Sequence, residues 1–291
     1  MIHRRQFLNA AAALLATIGV LNLASADAAT LYASTSAGGP GDLYTLNPAT
    51  GAMVSHIGSL NDSFGVNYPI TGLAFNPVTG VLYGSTGNAG SVDGMLVTIN
   101  PATALVTPIG LFNTGATNST GTPATMADLA FDSAGNLYGV ASIGGPQLYT
   151  INPLTGQATV IGNTGLTSTT GGGLAISPGG IFYGTPTASR FGTYNPLTGA
   201  YSNIANPAKP AGGAYGALDF DGNTLYGLNV GAGSPPPTGL VTISPTGVVT
   251  SLGFSLDSLD AIAFAPVPEP GSLTLLIVAG SIVFFARSRK R

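Results

Sequence analysis

The chain contains no cysteine and no tryptophan. The first absence excludes a disulfide framework and any thiolate metal centre. Charge is almost as scarce: 7% of residues are Asp, Glu, Lys or Arg, against about 25% in an ordinary soluble domain. There is one Glu, Glu269, and there are two Lys, Lys209 and Lys290. Surface helices place charged residues on their solvent side, so a helical cytosolic enzyme is excluded. Between Ala29 and Pro268 two bases, Arg190 and Lys209, face nine Asp, a formal charge of −7. Nucleic acid is excluded as a partner, because nothing in that span neutralises a run of phosphates. Turn formers are abundant instead, with 43 Gly and 21 Pro, and 44% of residues are hydrophobic, enough for a core.

The bases missing from the middle sit at the two ends. Residues 1–28 combine Arg4 and Arg5, an apolar run from Ala10 to Leu23, and the small-x-small triplets Ala24-Ser25-Ala26 and Ala26-Asp27-Ala28. This is the layout of an export signal that a peptidase removes, with the export machinery as its partner. Arg4-Arg5-Gln6-Phe7-Leu8 resembles the twin-arginine signal. His3 and Asn9 depart from that pattern, and an ordinary secretory signal with two Arg is the alternative.

Residues 267–291 hold Pro268-Glu269-Pro270, an uncharged run over 272–286, and the basic end Arg287-Ser288-Arg289-Lys290-Arg291. Fifteen helical residues at about 1.5 Å each span roughly 22 Å, short for a hydrocarbon core of about 30 Å. The basic end favours the cytoplasmic side. Three features in this order resemble the PEP-CTERM sorting signal of Gram-negative bacteria; a plain membrane anchor is the alternative. The resemblance implies an exosortase that removes the tail. It also implies a destination at the cell surface or in the extracellular polysaccharide matrix, with polysaccharide as a possible partner.

The middle, residues 29–266, repeats. Leu73-Ala74-Phe75 recurs as Leu129-Ala130-Phe131, Leu174-Ala175-Ile176, Leu218-Asp219-Phe220 and Ile262-Ala263-Phe264, at steps of 56, 45, 44 and 44 residues. Leu-Tyr-Gly elements follow at Leu82, Leu137, Phe182 and Leu225, with Leu31-Tyr32-Ala33 ahead of the first. Asn-Pro-x-Thr-Gly elements sit at Asn47, Asn152 and Asn195, with variants at Asn100 and Ser244. Each unit offers four short runs of period two divided by turn residues, which reads as four antiparallel strands. Four strands per roughly 45 residues make a β-propeller blade. The chain opens on a second strand and closes on a first strand. The fold expected is therefore all-β: a five-bladed propeller closed by pairing its N- and C-terminal strands, followed by a C-terminal apolar helix. It resembles the Leu-Tyr-Gly, Asn-Pro-x-Thr-Gly propellers of exported bacterial proteins.

If Leu73 and Phe75 pack between blades, then Gly72 and Ala74 face a central channel, as do Asp128, Asp219 and their equivalents. Asp128 and Asp219 are the candidates for a Ca²⁺-type metal, which needs six to eight oxygens. A propeller hydrolase built on that metal is the rival to a non-enzymatic binding or structural protein. Asp132 and Asp221 read as turn residues. After export one His remains, His56, expected on an outer strand with no catalytic partner. Propeller lactonases of similar architecture imply a Glu ligand that the mature span lacks.

N-terminal sequencing of the protein recovered outside the cytoplasm is expected to start after Ala26 or Ala28. An intact Met1 there would overturn the export signal. Replacing Arg4 and Arg5 by Lys separates the two routes: the twin-arginine route stops, and the general secretory route continues.

Overall fold

The computed structural model describes residues 29–36, 40–87, 93–115, 125–141, 147–166 and 172–267. The export signal with Arg4 and Arg5, the motif Pro268-Glu269-Pro270 and the expected helix 272–286 lie outside them. Among the described residues, twenty strands form five antiparallel four-stranded sheets. Blade 1 contains β1 (Leu31–Thr35), β2 (Asp42–Leu46) and β3 (Met53–Ser59). Blade 2 contains β4 (Ile70–Phe75), β5 (Leu82–Thr86), β6 (Met95–Ile99) and β7 (Val106–Leu111). Blade 3 contains β8 (Met126–Phe131), β9 (Leu137–Ala141), β10 (Gln147–Ile151) and β11 (Ala158–Asn163). Blade 4 contains β12 (Gly173–Ile176), β13 (Phe182–Thr187), β14 (Arg190–Tyr194) and β15 (Tyr201–Ala205). Blade 5 contains β16 (Ala214–Asp221), β17 (Thr224–Val230), β18 (Thr238–Ile243) and β19 (Val249–Phe254). The last strand, β20 (Leu259–Phe264), returns to blade 1 and pairs with β1.

The closing register is Leu31 opposite Phe264, Tyr32 opposite Ala263 and Ala33 opposite Ile262. The Ala265 N–H extends it by donating to the Thr30 carbonyl at 2.9 Å. In the other blades a tight turn joins the first two strands. In blade 1 that turn is replaced by the two ends of the propeller chain, which leave side by side.

Local chemistry explains the other turns. Asn47 Oδ1 accepts the Ala49 N–H at 2.9 Å, and the Gly51 N–H donates to the Asn47 carbonyl at 2.8 Å. Gly51 takes φ 73°, where Gly has no steric cost. Asn152 and Asn195 repeat the side-chain contact with Leu154 and Leu197. The same pentapeptide also builds the β4–β5 turn, where Asn76 Oδ1 accepts the Val78 N–H at 2.9 Å.

The apolar core is divided into five layers, one at each blade junction. Both faces of every first strand are buried. Leu73 packs in the layer between blades 1 and 2, and Ala74 in the layer between blades 2 and 3. The same split separates Leu129 from Ala130 and Leu174 from Ala175. This corrects the expectation that Gly72, Ala74 and their equivalents line an open channel. The sheets stand radially, so an edge of the first strand borders the axis and both faces meet neighbouring blades. The residues facing the next blade are small because its first strand lies against them. A Cβ added at Gly72 would stand 2.7 Å from the Asp128 Cα.

Each Tyr of the Leu-Tyr-Gly element meets a Phe of the next blade. The pairs are Tyr32–Phe75, Tyr83–Phe131, Tyr138–Phe182, Tyr183–Phe220 and Tyr226–Phe264, with ring centroids 4.8–5.9 Å apart. Because blade 4 carries Ile176 at the usual Phe position, Phe182 of its second strand serves instead. A second contact joins the rims. Every fourth strand carries a bulge against its third, at Ile57, Ile109, Ile161, Ile204 and Leu252. All but Ile204 pack against a junction layer. The Gly after the bulge receives the next blade's turn: a Cβ at Gly110, Gly162 or Gly253 would overlap the carbonyl of Thr155, Thr198 or Thr50. Bulges also blunt the five outer edges, which carry almost no charge to prevent edge-to-edge pairing.

Ile262→Ala, at a fully buried site in the closing strand, is expected to cost about 2–5 kcal/mol. Truncation after Ser255 removes β20 altogether and is expected to abolish cooperative unfolding. An unchanged Tm in the truncated protein would refute ring closure.

Candidate functional site

First strands run from the face of the inter-blade connections to the face of the tight turns. Three Asp therefore occupy successive levels along the axis. Asp260 lies nearest the loop face, Asp128 one level deeper, and Asp219 two levels further towards the tight turns. Among the described residues, no Lys or Arg shares these levels.

Asp128 is fully buried. Its Oδ1 accepts the Leu129 N–H at 2.9 Å. Its Oδ2 accepts the Leu174 N–H of blade 4 at 2.9 Å and the Leu218 N–H of blade 5 at 3.0 Å. One carboxyl thus satisfies donors from three blades. These donors exist because the inner edge of each first strand has no further strand to pair with. Burial pushes the Asp128 carboxyl well above the ordinary carboxylate range; the three N–H donors oppose this, and the nearby Asp219 adds to it.

Asp219 does related work at the closing junction, where its Oδ2 accepts the Phe264 N–H of blade 1 at 2.6 Å. Burial of this carboxyl pushes it up to about 7, against the pull of the Phe264 and Phe220 N–H groups. Asp260 accepts a hydrogen bond from the Ser36 hydroxyl at 2.8 Å. Burial pushes it up to about 6. The sequence singled out Asp128 and Asp219; Asp260 was not among its candidates. Its signal was its place two residues before the first-strand element, where Thr71, Ala127, Gly172 and Gly216 stand in the other blades.

The three carboxyls share the axis but do not converge on one point. Among the described residues, no group of three or more His, Asp or Glu is placed to hold a metal. The groups converging on Asp128 are N–H donors, which present positive ends to any cation. A hard cation needs six to eight oxygens, so this donor set does not fit Ca²⁺. His56 lies on β3 at the rim, half exposed, 3.4 Å from Asp42 Oδ1 and stacked on Tyr44 at 4.8 Å. Among the described residues, no imidazole therefore stands beside the axial acids. Asp132 is a turn residue, accepting the N–H groups of Ala134 at 3.0 Å and Asn136 at 2.9 Å.

Five radial sheets closed by the chain's own ends define a five-bladed β-propeller. The chain belongs to the family described as a repeat of unknown function (DUF6923), which matches residues 32–234. Residues 266–290 match the PEP-CTERM protein-sorting motif, so this is an exported protein that an exosortase processes at the membrane. No curated protein matches the chain. Among solved structures it is similar to a chain of a nidogen–laminin complex, at 15% identity and TM-score 0.50, over 81% of this chain and 98% of that one. It is also similar to a protein of unknown function from Bacteroides caccae, at 10% identity and TM-score 0.45, over 82% and 99% of the two chains.

Removing the Asp128 carboxyl orphans three buried N–H donors, each costing about 1–3 kcal/mol. Asp128→Ala is therefore expected to lose at least about 3 kcal/mol in chemical denaturation, and Asp128→Asn, which keeps one acceptor, to lose less. Equal losses would refute the axial role. Raised carboxyls also set a pH dependence. Their contribution is full below about pH 4, where unfolded Asp is protonated too, and is lost as pH rises through 6 to 7. Tm is expected to fall between pH 5 and pH 8, with a shallower fall in Asp219→Asn. A Tm rising over that interval would contradict the assignment.

Proposed function

We propose that, after export and removal of its tail, the propeller serves as a non-catalytic binding or structural protein of a Gram-negative cell surface or polysaccharide matrix. The observation that carries this reading is the sorting motif, which begins at residue 266, directly after the closing strand ends at Phe264. In the precursor the segment 272–286 anchors the chain in the membrane. Its brevity requires a thinned bilayer or a protein partner. Pro268 and Pro270 restrict the backbone around Glu269 and deny it helical hydrogen bonds. Among the described residues no imidazole stands beside the axial carboxyls, and backbone N–H groups engage Asp128 and Asp219; both support a role other than hydrolysis.

Glu269→Ala leaves the apolar segment and the basic end intact, so insertion into the membrane is expected to persist while processing and release stop. Mass spectrometry of the exported protein and fractionation of the cells measure both. A released wild-type species that retains Leu273–Arg291 in an exosortase-positive strain would leave only an anchor and sink the surface assignment.

A further inference from the structure

The tight-turn face carries a feature that neither family membership nor sorting uses. At four junctions the Tyr–Phe pair is the same in kind as at the fifth, but its surroundings differ. Between blades 2 and 3 the first-to-second-strand turns pack together: a Cβ added at Gly135 would stand 3.3 Å from Val78 Cγ2 and 3.5 Å from Asn76 Oδ1. Between blades 4 and 5 they do not. Nothing lies within 4 Å of a Cβ added at Gly222, the blade 5 counterpart of Gly135. The reason is local. The blade 5 turn is reduced to Gly222 and Asn223 between β16 and β17, too short to lie across its neighbour. Here the aromatic pair is also the widest of the five, Tyr183 and Phe220 being 5.9 Å apart. A cleft of about 250 Å³ opens above them, bounded by Ser177 and Pro178 on one side and by Asn223 and Pro245 on the other.

None of the residues lining this cleft is charged. Its floor is aromatic, and its rim carries a carboxamide and a hydroxyl. In the equivalent turn of blade 3, Asn136 spends its amide on Asp132 at 2.8 Å. Asn223 has no such partner among the described residues and keeps two donors and an acceptor. Ser177 Oγ accepts the Ile181 N–H at 3.0 Å and retains its own proton to donate. An apolar floor with an uncharged hydrogen-bonding rim matches a ligand that has one C–H face and a periphery of hydroxyl groups. That is a neutral pyranose ring. An anionic sugar gains nothing here, since the cleft offers no cation.

We propose that the cleft between blades 4 and 5 binds one ring of a neutral oligosaccharide, with the ring stacked over Tyr183 and Phe220 and its hydroxyls bonded to Asn223 and Ser177. The proposal deepens the matrix reading of the previous subsection and rests on it for the choice of a glycan.

The test uses the mature exported protein, labelled with ¹⁵N and titrated with cellotetraose, maltotetraose and a mannotetraose. At least one is expected to shift the amide resonances of Gly179, Gly180 and Asn223 with a Kd of about 1–10 mM, in keeping with the few atoms that one ring buries. Gly179 has an ordinary backbone conformation, and an added Cβ there would meet only Ser177 Oγ, at 3.8 Å. Gly179→Leu therefore fills the cleft while keeping the fold, and is expected to weaken binding at least about tenfold. Asn223→Ala is expected to weaken it about threefold. Undisturbed amides with all three sugars overturn the proposal, as does unchanged binding in Gly179→Leu. Shifts produced by octaproline in place of the sugars would assign the cleft to extended peptides and overturn it equally. Co-sedimentation with isolated cell matrix separates this outcome from the broader reading. If wild type and Gly179→Leu sediment alike, the cleft is refuted and the matrix role stands. If neither sediments, the matrix role falls.

Discussion

The close approach of five first strands around one axis constrains everything else in this propeller. Five sheets leave too little room for an open channel, so the residues facing the next blade must be small. Gly72, Gly173, Ala74, Ala130 and Ala175 meet that demand. The same approach leaves inner-edge N–H groups without strand partners. Asp128 resolves three of these at once, and Asp219 resolves one more across the closing junction. The carboxyls at the axis are thus a consequence of ring geometry. Their raised protonation follows from the same burial that makes them necessary.

The blades are held together at three radii. At the axis, carboxyls bridge first strands. Further out, each Tyr–Phe pair spans a junction within an apolar layer. At the rim, the bulge and its following Gly accept the next blade's turn. Closing the ring uses all three: Asp219 bonds Phe264, Tyr226 meets Phe264, and Gly253 receives Thr50. Phe264 therefore takes part in both a hydrogen bond and a ring contact from blade 5, while its strand pairs with β1. Closure is cooperative for that reason, and Leu31 and Phe264 lie opposite one another at the tight-turn face.

Much of this was legible in the sequence. Strand number, blade boundaries and the pairing of β20 with β1 followed from repeat spacing and from the orphan strands at the two ends. The C-terminal sorting motif was legible because it depends on composition and order alone. Two readings went astray or stayed incomplete. Period two correctly separates two faces of a strand, but it does not say what each face meets. Treating one face as channel wall misassigned Gly72 and Ala74. The bulges were visible only as a recurring Ile-Gly or Leu-Gly at the end of the fourth strand, whose meaning depends on the neighbouring blade's turn.

What the sequence determined by itself is therefore what one blade can express, its strands and its turns, together with the sorting motif that follows the last blade. Tertiary structure alone decided what happens between blades. It turned Asp128 from a metal candidate into a bridge of backbone donors, and it opened a cleft over the aromatic pair between blades 4 and 5. The physical reason is that both depend on distances across junctions, between residues 46 and 90 positions apart for Asp128. Periodicity within a single chain segment carries no information about such distances.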